Sequence, residues 1–130
     1  MERIKLQEIK EWYHKKRRKP LVVWGARQVG KTYLVKTLFA EKYFKNNYIY
    51  IDLKKDDEAR NYFSTTSDAS KYLSYIEARY GKRVTEKSLL IFDEVQQCHQ
   101  VLSSLKYFKQ DYPHLPVIAT GSMVRLSIKH

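Results

Sequence analysis

Apolar positions in this chain fall into two rhythms. Four short blocks are continuously apolar or nearly so: Leu21-Val22-Val23-Trp24, Tyr48-Ile49-Tyr50-Ile51, Leu89-Leu90-Ile91-Phe92 and Pro116-Val117-Ile118-Ala119. Their apolar runs predict strands over 20–24, 48–52, 88–92 and from Pro116 onward, the first and third fully buried. Between them the spacing turns helical. Ile4, Ile9, Trp12 and Tyr13 lie on one stripe of a helix over 2–14, and Val101, Leu102, Leu105 and Phe108 on one face of a helix over 99–111. Helical stretches are also predicted from Tyr33 to about Tyr43, over 56–63 and over 68–80. Asp68 is placed to cap the last of these and Gly81 to stop it. Pro113 ends the helix before the fourth strand. Each interval between strands is long enough for the right-handed crossover that parallel strands require. No repeat, low-complexity segment or linker interrupts this alternation, so the chain reads as one α/β domain.

Chemistry gathers where the strands end. Residues 25–32 read GARQVGKT, the phosphate-loop pattern G-x-x-x-x-G-K-[ST], set between the first strand and the following helix. In such a loop the backbone N–H groups of Gly25, Ala26, Arg27, Gln28, Val29 and Gly30 cradle an anion, helped by the helix N-terminus behind. Gly25 and Gly30 allow turns and approaches that a Cβ would block. Lys31 reaches β- and γ-phosphates, and Thr32 offers its hydroxyl to Mg²⁺. The third strand ends in Asp93 and Glu94. Ligands of parallel sheets lie beyond the carboxyl ends of the strands, so both acids emerge beside the loop. There Asp93 suits the Mg²⁺ shell and Glu94 the water that attacks phosphorus. The plainer reading is an acid pair capping the next helix. The fourth strand leads to Thr120-Gly121-Ser122, where Thr120 or Ser122 would meet the γ-phosphate or the water. Ordinary turn chemistry explains that triplet equally well.

Taken in order, GARQVGKT, LLIFDEVQ and VIATGS resemble the motifs of the AAA-type P-loop ATPases, above all a prokaryotic group of AAA-domain ATP-binding proteins. Gly25 to Thr32, Asp93 to Gln96 and Thr120 to Ser122 match that group's pattern, and the resemblance covers nearly the whole chain. It implies a three-layer P-loop NTPase core with a mainly parallel sheet in the order 1-4-3-2. It implies ATP rather than GTP, in keeping with the lack of an N-K-x-D motif, and it makes Thr120 the sensor-1 candidate. The chain departs from the family by stopping at His130, before the fifth strand and the helical lid that would carry a second sensor or an arginine finger. The expectation is therefore the N-terminal part of an ATP-binding domain, residues 1–130, from a longer protein. This piece would bind nucleotide, and hydrolysis would belong to the complete chain. Arg125 is the only arginine after the last motif and reads as a solvated surface residue.

Composition adjusts this picture in a few places. At 130 residues and 43% apolar, the chain supports one domain with a real core. Its apolar runs are too short to cross a membrane, and its N-terminus lacks a signal-peptide core. The single cysteine, Cys98, forms no internal disulfide and fits a reducing cytoplasm; no paired spacing marks it as reactive. His14, His99, His114 and His130 lack metal-ligand spacing, so Mg²⁺ arriving with the nucleotide is the one metal expected. The net charge is +11, with a run at Lys15-Lys16-Arg17-Arg18-Lys19. That run enters the first strand at its amino end, some 17 Å from the phosphate loop. It reads as a solvated face, or as a contact for nucleic acid or an acidic protein partner. Eleven tyrosines, with Tyr43, Phe44, Tyr48 and Tyr50 near Lys42 and Lys45, raise base stacking as a possibility. An A/T-rich coding bias would enrich Lys, Tyr, Ile and Phe together and explains them without function. Oligomeric state and the output of an ATP cycle are not encoded in any of these patterns.

Overall fold

A computed structural model describes residues 5–25 and 30–122. Four strands, β1 (Leu21–Gly25), β2 (Tyr48–Asp52), β3 (Leu89–Asp93) and β4 (Val117–Ser122), form one parallel sheet in the order β1-β4-β3-β2. This is the order that the motif resemblance implied. Helix α1 (Leu6–His14) and a helix over Tyr33–Glu41 contribute to one layer, and α2 (Asp57–Phe63), α3 (Ala69–Tyr80) and α4 (His99–Asp111) to the other.

Two-residue periodicity in the strands explains the sandwich. On β3, Leu90 and Phe92 pack with α2, α3 and α4, while Leu89 and Ile91 pack with α1 and the Tyr33–Glu41 helix. On β4, Val117 and Ala119 follow the first group and Ile118 the second. Both strands are buried on both faces, so each apolar residue of the run has a layer to enter. Edge strand β2 is half-buried instead. Ile49 and Ile51 enter the core, and Tyr48 and Tyr50 lie on the other face, only partly covered.

Local signals act as expected at most element ends. The Asp68 carboxylate accepts from the Ser70 N–H at 2.9 Å, and Asp56 caps α2 through the Ala59 N–H at 3.2 Å. Gly81 ends α3. Three details differ from the sequence expectation. Strand β1, read as buried, lies at the edge of the sheet, with Val23 buried and Trp24 exposed. The helix after the phosphate loop is wound as a π-helix over Tyr33–Glu41. Periodicity over so short a stretch registers a buried face but not whether the turn closes at four residues or five. Strand β4 also runs on to Ser122, which puts Thr120 inside the strand. The stripe residue Ile4 lies outside the described residues.

Arg18 departs from the reading of the basic run. Its guanidinium lies over the rings of Trp12 and Tyr13 and donates to the Tyr13 carbonyl at 3.1 Å and the His114 carbonyl at 2.9 Å. It therefore joins α1 to the loop that leads into β4. Burial draws its pKa below the ordinary arginine value. Lys15, Lys16, Arg17 and Lys19 remain exposed.

Candidate functional site

The carboxyl edge of the sheet collects the polar side chains. Alternation along each strand sends Asp93, Thr120 and Tyr50 to the face that carries the π-helix, because each shares parity with residues packed there, namely Ile91, Ile118 and Tyr48. Thr32, one residue before the π-helix, reaches the same point from above. The four side chains meet at one carboxylate. Asp93 Oδ2 accepts from the Thr32 hydroxyl at 2.9 Å and from the Tyr50 hydroxyl. Asp93 Oδ1 accepts from the Thr120 hydroxyl and from the Glu94 N–H at 2.8 Å.

Electrostatics give this arrangement its meaning. Asp93 is 3% exposed, and every one of these donors is neutral. Among the described residues no lysine or arginine pairs with it. A buried carboxylate whose donors are all neutral has no counter-charge among the described residues, and a cation bound there would supply one. Adjacent oxygens around octahedral Mg²⁺, each ~2.1 Å from the metal, lie about 3.0 Å apart. The 2.9 Å between Thr32 Oγ1 and Asp93 Oδ2 is the length of their hydrogen bond and leaves them close to such an edge; the fit to Mg²⁺ rests on two hard oxygen donors side by side. Tyr50 is held protonated, since burial and the neighbouring Asp93 charge both push its pKa up.

Lys31 lies beside this cluster, only 7% exposed, and donates to Ser122 Oγ at 3.2 Å. An ammonium has three N–H donors, and this bond uses one of them. The remainder suits phosphate oxygens. Gly30 precedes it at φ 83°, a conformation that side chains resist, which accounts for glycine at that position. Gly25 ends β1 and pairs in register with Ser122. Ala26, Arg27, Gln28 and Val29 lie outside the described residues, as does Arg125.

Glu94 sits apart from the Asp93 cluster. It adopts φ 60°, ψ 46°, the left-handed region, unusual for a residue with a side chain. Its carboxylate Oε1 accepts from Gln96 Nε2 at 2.7 Å. Thr120, 1% exposed, turns its hydroxyl to Asp93. Ser122, the other polar residue named for this strand, is the one that meets Lys31.

Sequence reading left Tyr50 without a role at the site. No motif contains it, and only the diagonal from edge strand β2 onto β3 brings its hydroxyl to Asp93. Gln96 stood inside the matched motif without an assigned contact. The remaining tyrosines named for stacking have structural partners: Tyr48 donates to Glu41 at 3.2 Å, and Lys10 and Lys42 lie over the Tyr43 ring. Phe44 is buried, and so is Cys98. No helix among the described residues is long and apolar enough to cross a membrane.

Comparison with known proteins agrees with this geometry. A search of curated proteins returns no match. A family model described as an AAA domain matches residues 17–130, which takes in all four strands, the glycine loop and both acids. A parallel 1-4-3-2 sheet with Lys31, Thr32 and Asp93 at its carboxyl edge is consistent with a P-loop NTPase core, and the chain belongs to the AAA domain family.

Proposed function

We propose that this chain is the Mg·ATP-binding module of an AAA-type ATPase and that the complete protein hydrolyses ATP to drive a conformational change. The observation that carries this reading is the convergence of Thr32, Thr120 and the buried Asp93, with Lys31 alongside. Lys31 and the loop amides would bind the β- and γ-phosphates and stabilise charge on their oxygens. Thr32 and Asp93 would hold Mg²⁺, which supplies further neutralisation of phosphate charge when bound. Thr120 would relate the Asp93 carboxylate to the γ-phosphate. Glu94 would take a proton from the attacking water.

The test is Mg·ATP hydrolysis by the complete natural protein and by its Glu94→Gln variant. Nucleotide affinity should stay within about twofold, while turnover falls at least about a hundredfold, the usual scale for a general base. Unchanged turnover removes Glu94 from the mechanism.

The exposed Lys15, Lys16, Arg17 and Lys19 support a second element, a polyanionic partner at the amino edge of the sheet. We propose nucleic acid as that partner, the alternative reading being a nucleic-acid-binding protein whose nucleotide site is regulatory or vestigial. Turnover measured with and without DNA or RNA, across a salt series, tests this. Stimulation that fades steeply with salt supports phosphate contacts. Indifference to both polymers leaves the charge as surface solvation.

A further inference from the structure

We infer that Gln96 is a positioning residue, one that fixes the Glu94 carboxylate and ties it to the tip of β4. The inference rests on the role proposed above for Glu94. It starts from a backbone problem. Glu94 occupies the left-handed region, and the chain leaves it directly into a 3₁₀ turn over Val95–Gln97. Val95 is buried in the core, as is Cys98 just after the turn, so the backbone on the far side of Glu94 is anchored. Left-handed conformations at residues with a Cβ cost free energy and persist where the surroundings over-determine them. Here the turn returns Gln96 alongside the residue two positions before it.

The Gln96 amide then makes two bonds of opposite sense. Its Oε1 accepts from the Ser122 N–H at 3.1 Å, and its Nε2 donates to Glu94 Oε1 at 2.7 Å. The orientation of the amide follows from chemistry. A backbone N–H can only donate, so the oxygen must face Ser122 and the nitrogen must face the carboxylate. Only a side chain with one acceptor and one donor at that spacing serves both ends. Among the described residues Gln96 makes the only side-chain hydrogen bond to the Glu94 carboxylate.

The anchor at β4 is itself confined. A Cβ on Gly121 would come 2.5 Å from the Trp24 ring and 3.0 Å from Gln96 Oε1. Glycine at 121 thus lets Trp24 and Gln96 close over the strand tip. Ser122 also receives Lys31 Nζ through its hydroxyl, at 3.2 Å. Gln96 therefore links Glu94 to the residue that touches the phosphate-loop lysine, and a shift of the β4 tip would be felt at the carboxylate.

The experiment uses the complete natural protein and measures Mg·ATP turnover and fluorescent-ATP affinity for Gln96→Ala and Gln96→Glu, alone and with Glu94→Gln. Misplacing a catalytic group costs about tenfold to a hundredfold. Both single variants should lose at least about tenfold in kcat, with KM and nucleotide affinity moved less than about twofold. Gln96→Glu is the decisive variant. It keeps the shape and the acceptor for Ser122 but sets an oxygen against Glu94, so it should fall at least as far as Gln96→Ala. A packing role alone would spare it. On a Glu94→Gln background, adding Gln96→Ala should change residual turnover little, because Gln96 acts through Glu94. Wild-type kcat in Gln96→Glu, or losses that multiply fully in the double variant, overturns the inference while Glu94 stands. Full turnover in Glu94→Gln alone removes both.

Discussion

The two edges of this sheet both carry polar side chains, and they use them differently. At the amino edge the bonds run from side chain to backbone. Arg18 donates to the carbonyls of Tyr13 and His114, and Trp12 Nε1 donates to the Lys19 carbonyl at 2.5 Å. At the carboxyl edge side chain meets side chain as well, with Thr32, Tyr50 and Thr120 on Asp93, Lys31 on Ser122 and Gln96 on Glu94, beside backbone bonds from Glu94 N–H to Asp93 and from Ser122 N–H to Gln96. Backbone carbonyls cannot leave without unfolding something, so the first kind of bond fixes architecture. Hydroxyls, an ammonium and carboxylates exchange partners by rotating χ angles, so the second kind accepts a ligand at low cost to the fold. The distinction separates a structural cation, Arg18, from the one proposed to bind phosphate, Lys31, although both are largely covered.

The largest expected effect breaks the comparison at Lys31. Lys31→Ala should weaken Mg·ATP binding at least about a hundredfold, roughly 3 kcal/mol, because charge-assisted bonds to phosphate are lost. Its thermal stability should fall by less than about 1 kcal/mol, since the lysine's one hydrogen bond among the described residues is to a hydroxyl. Titration with a fluorescent ATP analogue and a melting curve check the two halves. A variant that melts much earlier would make Lys31 architectural, like Arg18.

Arg18→Ala should give the opposite pattern. Two bonds from a charged donor and the packing on Trp12 and Tyr13 disappear together, and the carbonyls of Tyr13 and His114 lose their partner. The expected loss is about 2 kcal/mol of stability by denaturant titration. Affinity for ATP should stay within about twofold, because the residue lies at the far end of β1. A large loss of ATP affinity in a folded variant would mean that the two edges are coupled through the sheet.

Sequence alone carried much of this division. Apolar blocks marked β1, β2 and β3 to within a residue and the start of β4, but not its buried polar half, Thr120 to Ser122, which lies past the apolar run. Parallel strands and the shared edge of Thr32, Asp93 and Thr120 followed from the crossover lengths and the carboxyl-end rule, and the strand order from the motif resemblance. What could not be read was lateral. Tyr50 reaches Asp93 from a neighbouring strand, and its place depends on a register that one sequence does not print. Arg18 sat in a run of five cations with nothing local to mark it, because its partners are carbonyls, one of them 96 residues away. The π-helix was hidden for a different reason: a buried face spaced three or four residues apart suits either winding over nine residues.

Tyr50 offers the finest test, and the smallest effect. Its hydroxyl shares Asp93 Oδ2 with Thr32, the pair proposed to hold Mg²⁺. Tyr50→Phe removes one donor from a buried carboxylate. Water at the half-open edge of β2 can replace part of that bond, so the expected loss is about 1 kcal/mol. The sign changes once nucleotide is added. A hydroxyl on Oδ2 competes with a cation for the same lone pairs, and the variant has no such competitor. Mg·ATP should therefore raise the melting temperature of Tyr50→Phe by more than it raises that of the unaltered protein, and the two should converge at saturation. An equal rise in both would mean that any metal meets Asp93 through its other oxygen or through water, against the proposed direct Thr32–Asp93 site. A smaller rise would make Tyr50 part of the nucleotide's own binding surface.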